Sequence, residues 1–222
     1  MDRDEVEMLF RVKREQVRMM KMRGYDVSRE ASILDETNFT LQTFRDSYSP
    51  IAAQRQTSLR GVLFMIYDRG ADDRALVAYV ESTTKSKQLG VEPVRGFIAM
   101  FQQFQCNHGI LISQVPLSKD ALEELHKTTA RFVQQFQEKE ILTAAAAINH
   151  LLSPRYEILS EAEALAFFRE NNIPPSKMPI IRSSDAVAKY FGVSRGTIIR
   201  EHNEVKAGET LVDNYRTYSI VD

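Results

Sequence analysis

Met178-Pro179-Ile180-Ile181-Arg182-Ser183-Ser184-Asp185-Ala186-Val187-Ala188-Lys189-Tyr190-Phe191-Gly192-Val193-Ser194-Arg195-Gly196-Thr197-Ile198-Ile199 is the densest run of local structural instruction in the chain. Pro179 biases Met178 towards extended backbone, and Ile180 and Ile181 continue it as a short apolar segment. Ser183, Ser184 and Asp185 carry side-chain oxygens able to take an orphan amide of a first helical turn. Val187, Ala188 and Phe191 recur at helical spacing and form one apolar stripe. Gly192 suits a left-handed terminator. Ser194-Arg195-Gly196 reads as a turn, and the β-branched Thr197-Ile198-Ile199 suit a strand.

Two continuations are open. In a helix-turn-helix, Ala188, Gly192 and Ile198 or Ile199 hold the internal spacing, and Ser194, Arg195 and Thr197 face DNA from a recognition helix. In the other, a short helix delivers a turn and then a strand. The residues beyond Ile199 favour the second. Glu201-His202-Asn203-Glu204 carries no apolar stripe, Gly208 follows in a polar connection, and Asn214-Tyr215-Arg216-Thr217-Tyr218-Ser219-Ile220-Val221 is rich in strand formers. Helix, turn, strand, loop over Arg200 to Thr210 and strand is the expected order, making a β-hairpin.

From His150 to Val221 the chain resembles the fifth subunit of eukaryotic nuclear RNA polymerases, whose C-terminal domain is shared with a small subunit of the archaeal enzyme. The matching residues are His150, Leu152, Pro154 and Leu159, then Met178-Pro179-Ile180-Ile181. Asp185-x-Val187-Ala188-x-Tyr190-Phe191-Gly192-Val193-x-Arg195-Gly196 follows, and Tyr215-Arg216-Thr217-Tyr218 closes the match. Arg23-Gly24-Tyr25-Asp26-Val27 with Glu30, and the segment from Gly109 to Leu122, resemble the family's N-terminal domain more faintly. The chain departs from the family at Ala186, where the family has proline, and over Arg200 to Thr210, which is longer than the family's loop and lacks its proline.

The 222 residues suffice for two small cores, and the formal net charge of −1 supplies no global drive onto nucleic acid. A single cysteine, Cys106, excludes an intrachain disulfide and suits a reducing compartment. No apolar run reaches membrane-spanning length, and the N-terminus is too charged for a signal peptide. A soluble intracellular protein is expected.

Along the chain, Asp4 to Met22 reads as an amphipathic helix with Val6, Leu9, Phe10, Val17 and Met20 inward. Its basic side chains, Arg11, Lys13, Arg14, Arg18 and Lys21, are expected on a solvated face. A second helix is expected from Phe39 to Tyr48, capped by Thr40, then a loop through Pro50 to Thr57. Leu59 to Tyr67 reads as a strand buried on both faces, with a further strand over Ala75 to Val80. Glu92 to Gln105 reads as a helix with Pro93 at its first position and Phe97, Met100, Phe101 and Phe104 inward. Gly109 to Ser113 and Phe132 to Phe136 read as strands flanking a helix capped by Ser118. Thr143 to Asn149 is ambiguous: alanine favours helix, whereas the family has an extended connection. Ser160 and Glu163 form a capping box opening a helix with Leu165 and Phe168 inward. The expected class is α+β / α/β. Residues 1–148 would form an N-terminal layered α/β domain, and residues 149–222 a small α+β domain with the hairpin.

Catalytic constellations are not evident. Cys106 and His108 lack a third orienting group, the four histidines and one cysteine lack metal-ligand spacing, and Glu81, Lys85, Asp68, Asp72 and Asp73 lack the clustering a nuclease needs. The resemblance implies a polymerase subunit that is not itself the catalyst and needs no cofactor, metal, small-molecule substrate or membrane. It implies docking on the largest polymerase subunit, beside other subunits, through the C-terminal domain. It also implies a nuclease-like N-terminal domain forming part of the jaw around downstream duplex DNA. Tyr190, Arg195, Tyr215, Arg216 and Tyr218 are the candidate interface residues, because aromatic and arginine side chains dominate such contacts. Pro116, Ser118 and Lys119 match the family's DNA-proximal loop, where a helix start with an exposed lysine suits a phosphate. The location implied is nuclear. The altered loop suggests a diverged, kinetoplastid-like copy specialised to polymerase I, which would place it in the nucleolus. A free helix-turn-helix regulator is the alternative, and would be marked by salt-dependent binding to duplex DNA.

Overall fold

The computed structural model describes residues 3–81, 87–128, 132–149, 154–207 and 210–221, with backbone alone at 3, 128, 203–207 and 210–217. His150 and Leu152, Lys85 and Gly208 lie outside these residues. The chain divides into two compact units, Met1–Leu142 and Thr143–Asp222, a few residues before the boundary expected near Ile148. The fold is mixed α+β, with a four-stranded sheet in each unit.

The first unit begins with helix α1, Arg3–Met22. Its apolar face is as expected, with Val6, Leu9, Phe10, Val17 and Met20 all buried. Its basic face is not uniformly solvated. Lys13 is 1 % exposed because a carboxylate reaches it from the following 3-10 turn, Ser28–Leu34. Its Nζ donates to Glu30 Oε1 at 2.8 Å and to Gln16 Oε1 at 2.9 Å. Gln16 donates to the Tyr67 hydroxyl, which in turn donates to Glu30. Burial pulls the Lys13 ammonium below its ordinary pKa against the opposing pull of Glu30. A cation read as surface is therefore an interior group held by a closed polar ring.

Helix α2, Leu41–Gln54, starts on the Thr40 cap as expected but runs through Pro50. Proline removes one backbone hydrogen bond, yet Ala52 beyond it is buried and holds the last turn down. The expected strand from Leu59 is also corrected. Ser58 caps a one-turn helix α3, Leu59–Val62, and only then does β1, Phe64–Arg69, begin. The strand buried on both faces is its neighbour β2, Asp73–Val80. Helix α4, Val91–Gln103, β3, His108–Ser113, α5, Lys119–Thr128, β4, Phe132–Gln137, and α6, Glu138–Asn149, follow. Pro93 occupies the third helical position of α4, still among the amides that need no intrahelical partner. The alanine run is helical within α6.

The sheet order is β1-β2-β3-β4, antiparallel at β1–β2 and parallel beyond. Crossovers α4 and α5 cover one face, where Phe97, Phe101, Ala121 and Leu125 meet Leu76, Ala78 and Leu111. Tyr67, which alternates with Phe64 and Ile66 of that cluster, points to the other face and receives α1 through Gln16. Among the described residues no helix is long and apolar enough to cross a membrane.

The second unit adds β5, Arg155–Ile158, which has no counterpart in the sequence expectation, then α7, Glu161–Asn171, with the expected capping box. Ala164, Phe167 and Phe168 face the core, and Leu165 points outward at 49 % exposure. Edge strand β6, Ile180–Ile181, precedes α8, Ala186–Phe191, capped by Asp185 Oδ1, which accepts from the Val187 amide at 2.8 Å. Gly192 ends α8 at φ +65°, a backbone region open to glycine at no steric cost. Strands β7, Ile198–Ala207, and β8, Thr210–Val221, complete a sheet of order β5-β7-β8-β6. Residues Ile198–Ala207 are strand, so a recognition helix is excluded there. The expected polar loop after Arg200 is likewise strand, as far as Ala207. Helix α7 packs on one sheet face through Ile198 and Ile220, and α8 on the other through Ile199 and Val221.

Candidate docking surface

The β7–β8 hairpin is longer than the sheet that carries it. β7 and β8 pair from Ile198↔Ile220 to Ala207↔Thr210, with a register shift between Val205 and Lys206 that marks a bulge. β5 accompanies β7 only from Ile199 to His202, and β6 accompanies β8 only at Ile220 and Val221. Beyond His202 the two strands form a ribbon whose outer backbone groups are unpaired among the described residues. Such an open edge is a template for another chain, and a two-stranded hairpin by itself is marginal in water. Gly196, at φ +87°, turns the chain into the ribbon while its amide donates to the Val221 carbonyl at 2.7 Å.

At the base of the ribbon a polar row crosses the sheet. Glu157 of β5 lies opposite Arg200 of β7, which lies opposite Tyr218 of β8. Glu157 Oε2 accepts from Arg200 Nη1 at 2.9 Å and bonds His202 Nε2 at 2.8 Å. The Arg200 guanidinium sits 5.5 Å over the Tyr218 ring, which stacks on Phe167 of α7 at 4.2 Å. The His202 bond, then Arg200, hold the Glu157 carboxyl below its ordinary value of 4.5. A group with a depressed folded pKa stabilises the fold fully above its unfolded pKa, and that contribution is lost as pH falls through the folded value. A carboxyl-carbon NMR titration of Glu157 is expected to show a midpoint below 4.5. A midpoint at or above 4.5 would show that these bonds do not form in solution.

The sequence-named residues are dispersed by the fold. Tyr190 is 0 % exposed and belongs to the core beneath α8, because helical spacing turns it inward and leaves Phe191 half-buried. Arg195 is exposed on the turn before β7. Tyr218 packs within the unit on Phe167. Tyr215 and Arg216 lie on β8 in the ribbon, their side chains outside the described residues. In the first unit, Ser118 caps α5 through the Ala121 amide at 3.2 Å, and Pro116 and Lys119 are exposed beside it. The Pro116 carbonyl is tied to the Leu89 amide at 2.8 Å. Sequence reading missed Glu157, Arg200 and His202. The alternation of Arg200 and His202 was the available signal, but it has meaning only once the stretch is known to be a strand.

Residues 146–221 match the family model for the RNA polymerase Rpb5 C-terminal domain. The chain's second unit is an Rpb5 C-terminal domain. The matched span contains β5, the polar row and all of the ribbon. The chain is 29 % identical over 136 residues to the "DNA-directed RNA polymerases I, II, and III subunit rpabc1" of Dictyostelium discoideum, covering 60 % of this chain and 66 % of that one. It is 22 % identical over 215 residues to the RPABC1 subunit of Caenorhabditis briggsae, covering 96 % and 95 %. A polymerase V subunit 5A of Arabidopsis thaliana is 22 % identical over 189 residues, covering 85 % and 78 %. The likeness thus runs through both units, and the Rpb5 domain model lies within the second.

Several of the polar groups weighed for catalysis are engaged structurally. Cys106 is buried and His108 is half-buried at the start of β3, where burial pushes its imidazole below its ordinary pKa. Asp68 pairs with Arg74 at 3.1 Å, Asp73 with Arg69 at 2.6 Å, and Glu81 lies 3.9 Å from Arg60. A groove of about 660 Å³ beside Glu5, Arg45, Ser49 and Glu81 is lined by neither histidine nor cysteine. Among the described residues no group of three or more His, Cys, Asp or Glu is arranged to hold a metal ion.

Proposed function

We propose that the chain works as a subunit of nuclear DNA-directed RNA polymerase in transcription, docked through its C-terminal unit. The observation that carries this is the ribbon, a strand pair with open edges on a domain of the Rpb5 family. Main-chain edges supply affinity and alternate side chains supply specificity when a partner chain pairs with such a strand. The largest polymerase subunit is the proposed partner. The ribbon residues Tyr215 and Arg216 and the turn residue Arg195 are the proposed contacts. The N-terminal unit would serve as part of the jaw, with Pro116, Ser118 and Lys119 towards downstream DNA. Specialisation to polymerase I rests on the length of the 200–210 segment.

Affinity purification of the tagged full-length chain tests this reading. Polymerase subunits are expected to co-purify. Replacing residues 203–216 by a two-residue turn is expected to lower their recovery at least about tenfold, since the lost edge contacts act together. Full recovery with the shortened variant would refute docking by the ribbon. Equal recovery of polymerases I, II and III would refute specialisation. The free chain is expected to show no salt-dependent affinity for duplex DNA, in contrast to a regulator.

A further inference from the structure

The ribbon leaves the sheet at His202, and the polar row stands at that cross-section. On the inner side the strands are held by apolar packing, with Ile198, Leu159 and Met178 buried beneath α7. On the outer side β7 has only β8. A two-stranded ribbon twists more freely than a wide sheet, so its direction is set by whatever holds its root. Arg200 and His202, two residues apart on one face of β7, both end on Glu157 Oε2. The same Arg200 reaches across to Tyr218, and Tyr218 rests on α7. One carboxylate therefore ties three strands and a helix together where the fourth support runs out.

We propose that Glu157 is a positioning residue for the docking ribbon: by holding Arg200 and His202 on one oxygen it fixes the direction in which β7 and β8 leave the sheet. The proposal rests on the docking reading above, which makes the ribbon's direction matter. Glu157, like Arg200 and His202, was not marked by the sequence, and its carboxylate is 43 % exposed. Its contribution is geometric. Loss of the carboxylate leaves the apolar core intact and frees the root of the ribbon to swing. A glutamine at this position keeps an oxygen for the two donors but removes the charge, and charge-assisted bonds are about twice as strong as neutral ones.

The test uses the full-length chain with spin labels on cysteines placed by Val212→Cys in the ribbon and Glu170→Cys on α7. Cys106 is buried and stays unlabelled. Pulsed-dipolar distance distributions are expected to be narrow in the parent. They should broaden about twofold or more on Glu157→Ala, with Glu157→Gln between the two. Hydrogen exchange at amides 203–207 should quicken about three- to tenfold in Glu157→Ala, while exchange at Ile198, Ile199 and Ile220 stays unchanged. Identical distributions in all three proteins overturn the proposal, as does a parent distribution already as broad as that of the alanine variant. So does loss of protection at Ile198, Ile199 and Ile220, which would mark a general role in folding. Co-purification with polymerase is read separately. Its absence in the parent defeats the docking reading and leaves the clamp measured on its own terms.

Discussion

Arg60→Ala is expected to destabilise the first unit by about 3–5 kcal/mol, the usual cost of removing one partner from a buried ion pair. Arg60 is 1 % exposed and forks onto Glu138, with Nε at 2.6 Å from Oε1 and Nη2 at 3.2 Å from Oε2. Its Nη1 donates to Glu5 Oε1 at 2.6 Å, and Gln114 donates to the same oxygen at 3.2 Å. These groups come from α1, α3, the end of β3 and the start of α6, so one guanidinium closes the carboxyl-terminal end of the parallel sheet. Alanine leaves the Glu138 carboxylate, also 1 % exposed, without its cation. Chemical denaturation of the full chain is the measurement, and a fall in melting temperature of about 10 °C or more should accompany it. The paired change Arg60→Leu with Glu138→Leu should recover most of the loss, because a well-packed apolar pair replaces a buried ion pair at little cost. A loss under about 1 kcal/mol, the range of exposed pairs, would mean that water reaches the pair.

Tyr190→Ala is expected to cost the second unit about 3–5 kcal/mol, the range for removing a buried aromatic ring. Tyr190→Phe keeps the ring and should cost less than about 1 kcal/mol, the worth of a hydrogen-bonded hydroxyl. The tyrosine is wholly buried on α8, the helix whose Ala188 packs with Ile199 and Val221 of the sheet. Hydrogen-exchange protection at the Ile199 and Val221 amides reads the effect directly. A docking anchor would behave otherwise: its alanine variant would keep that protection and lose only the recovery of polymerase subunits. The two outcomes separate packing from partner contact at a residue whose type suits both.

Much of the element pattern was legible because local rules act within a few residues. Asp185, Gly192, the Ser160–Glu163 box and the Thr40 cap each act through backbone groups no more than four positions away. The choice between a recognition helix and a strand after Gly196 was also legible, since β-branched residues and the missing apolar stripe both disfavour helix. Pro50 shows the limit of such rules, because the packing of Ala52 outweighed a local breaker. The start of β1 shows another, since Leu59 and Val62 are as apolar as a strand and become one turn of helix once Ser58 caps them.

The candidate site was legible only in part. The resemblance marked the span that holds the ribbon but pointed at Tyr190, which the fold buries. It passed over Glu157, which lies 43 residues from Arg200 and 45 from His202. Lys13 was read as a surface cation for the same reason, since Glu30 is 17 residues away in sequence and 2.8 Å away in space.

By itself the sequence determined the class of the fold, most of its elements, the strand after Gly196 and the likeness of its C-terminal part to the Rpb5 domain, because caps, periodicity and a contiguous motif are short-range properties. Only the tertiary structure decided strand register, the free length of the ribbon and which charges are interior. Register brings distant positions face to face, and burial makes an ion pair costly to break.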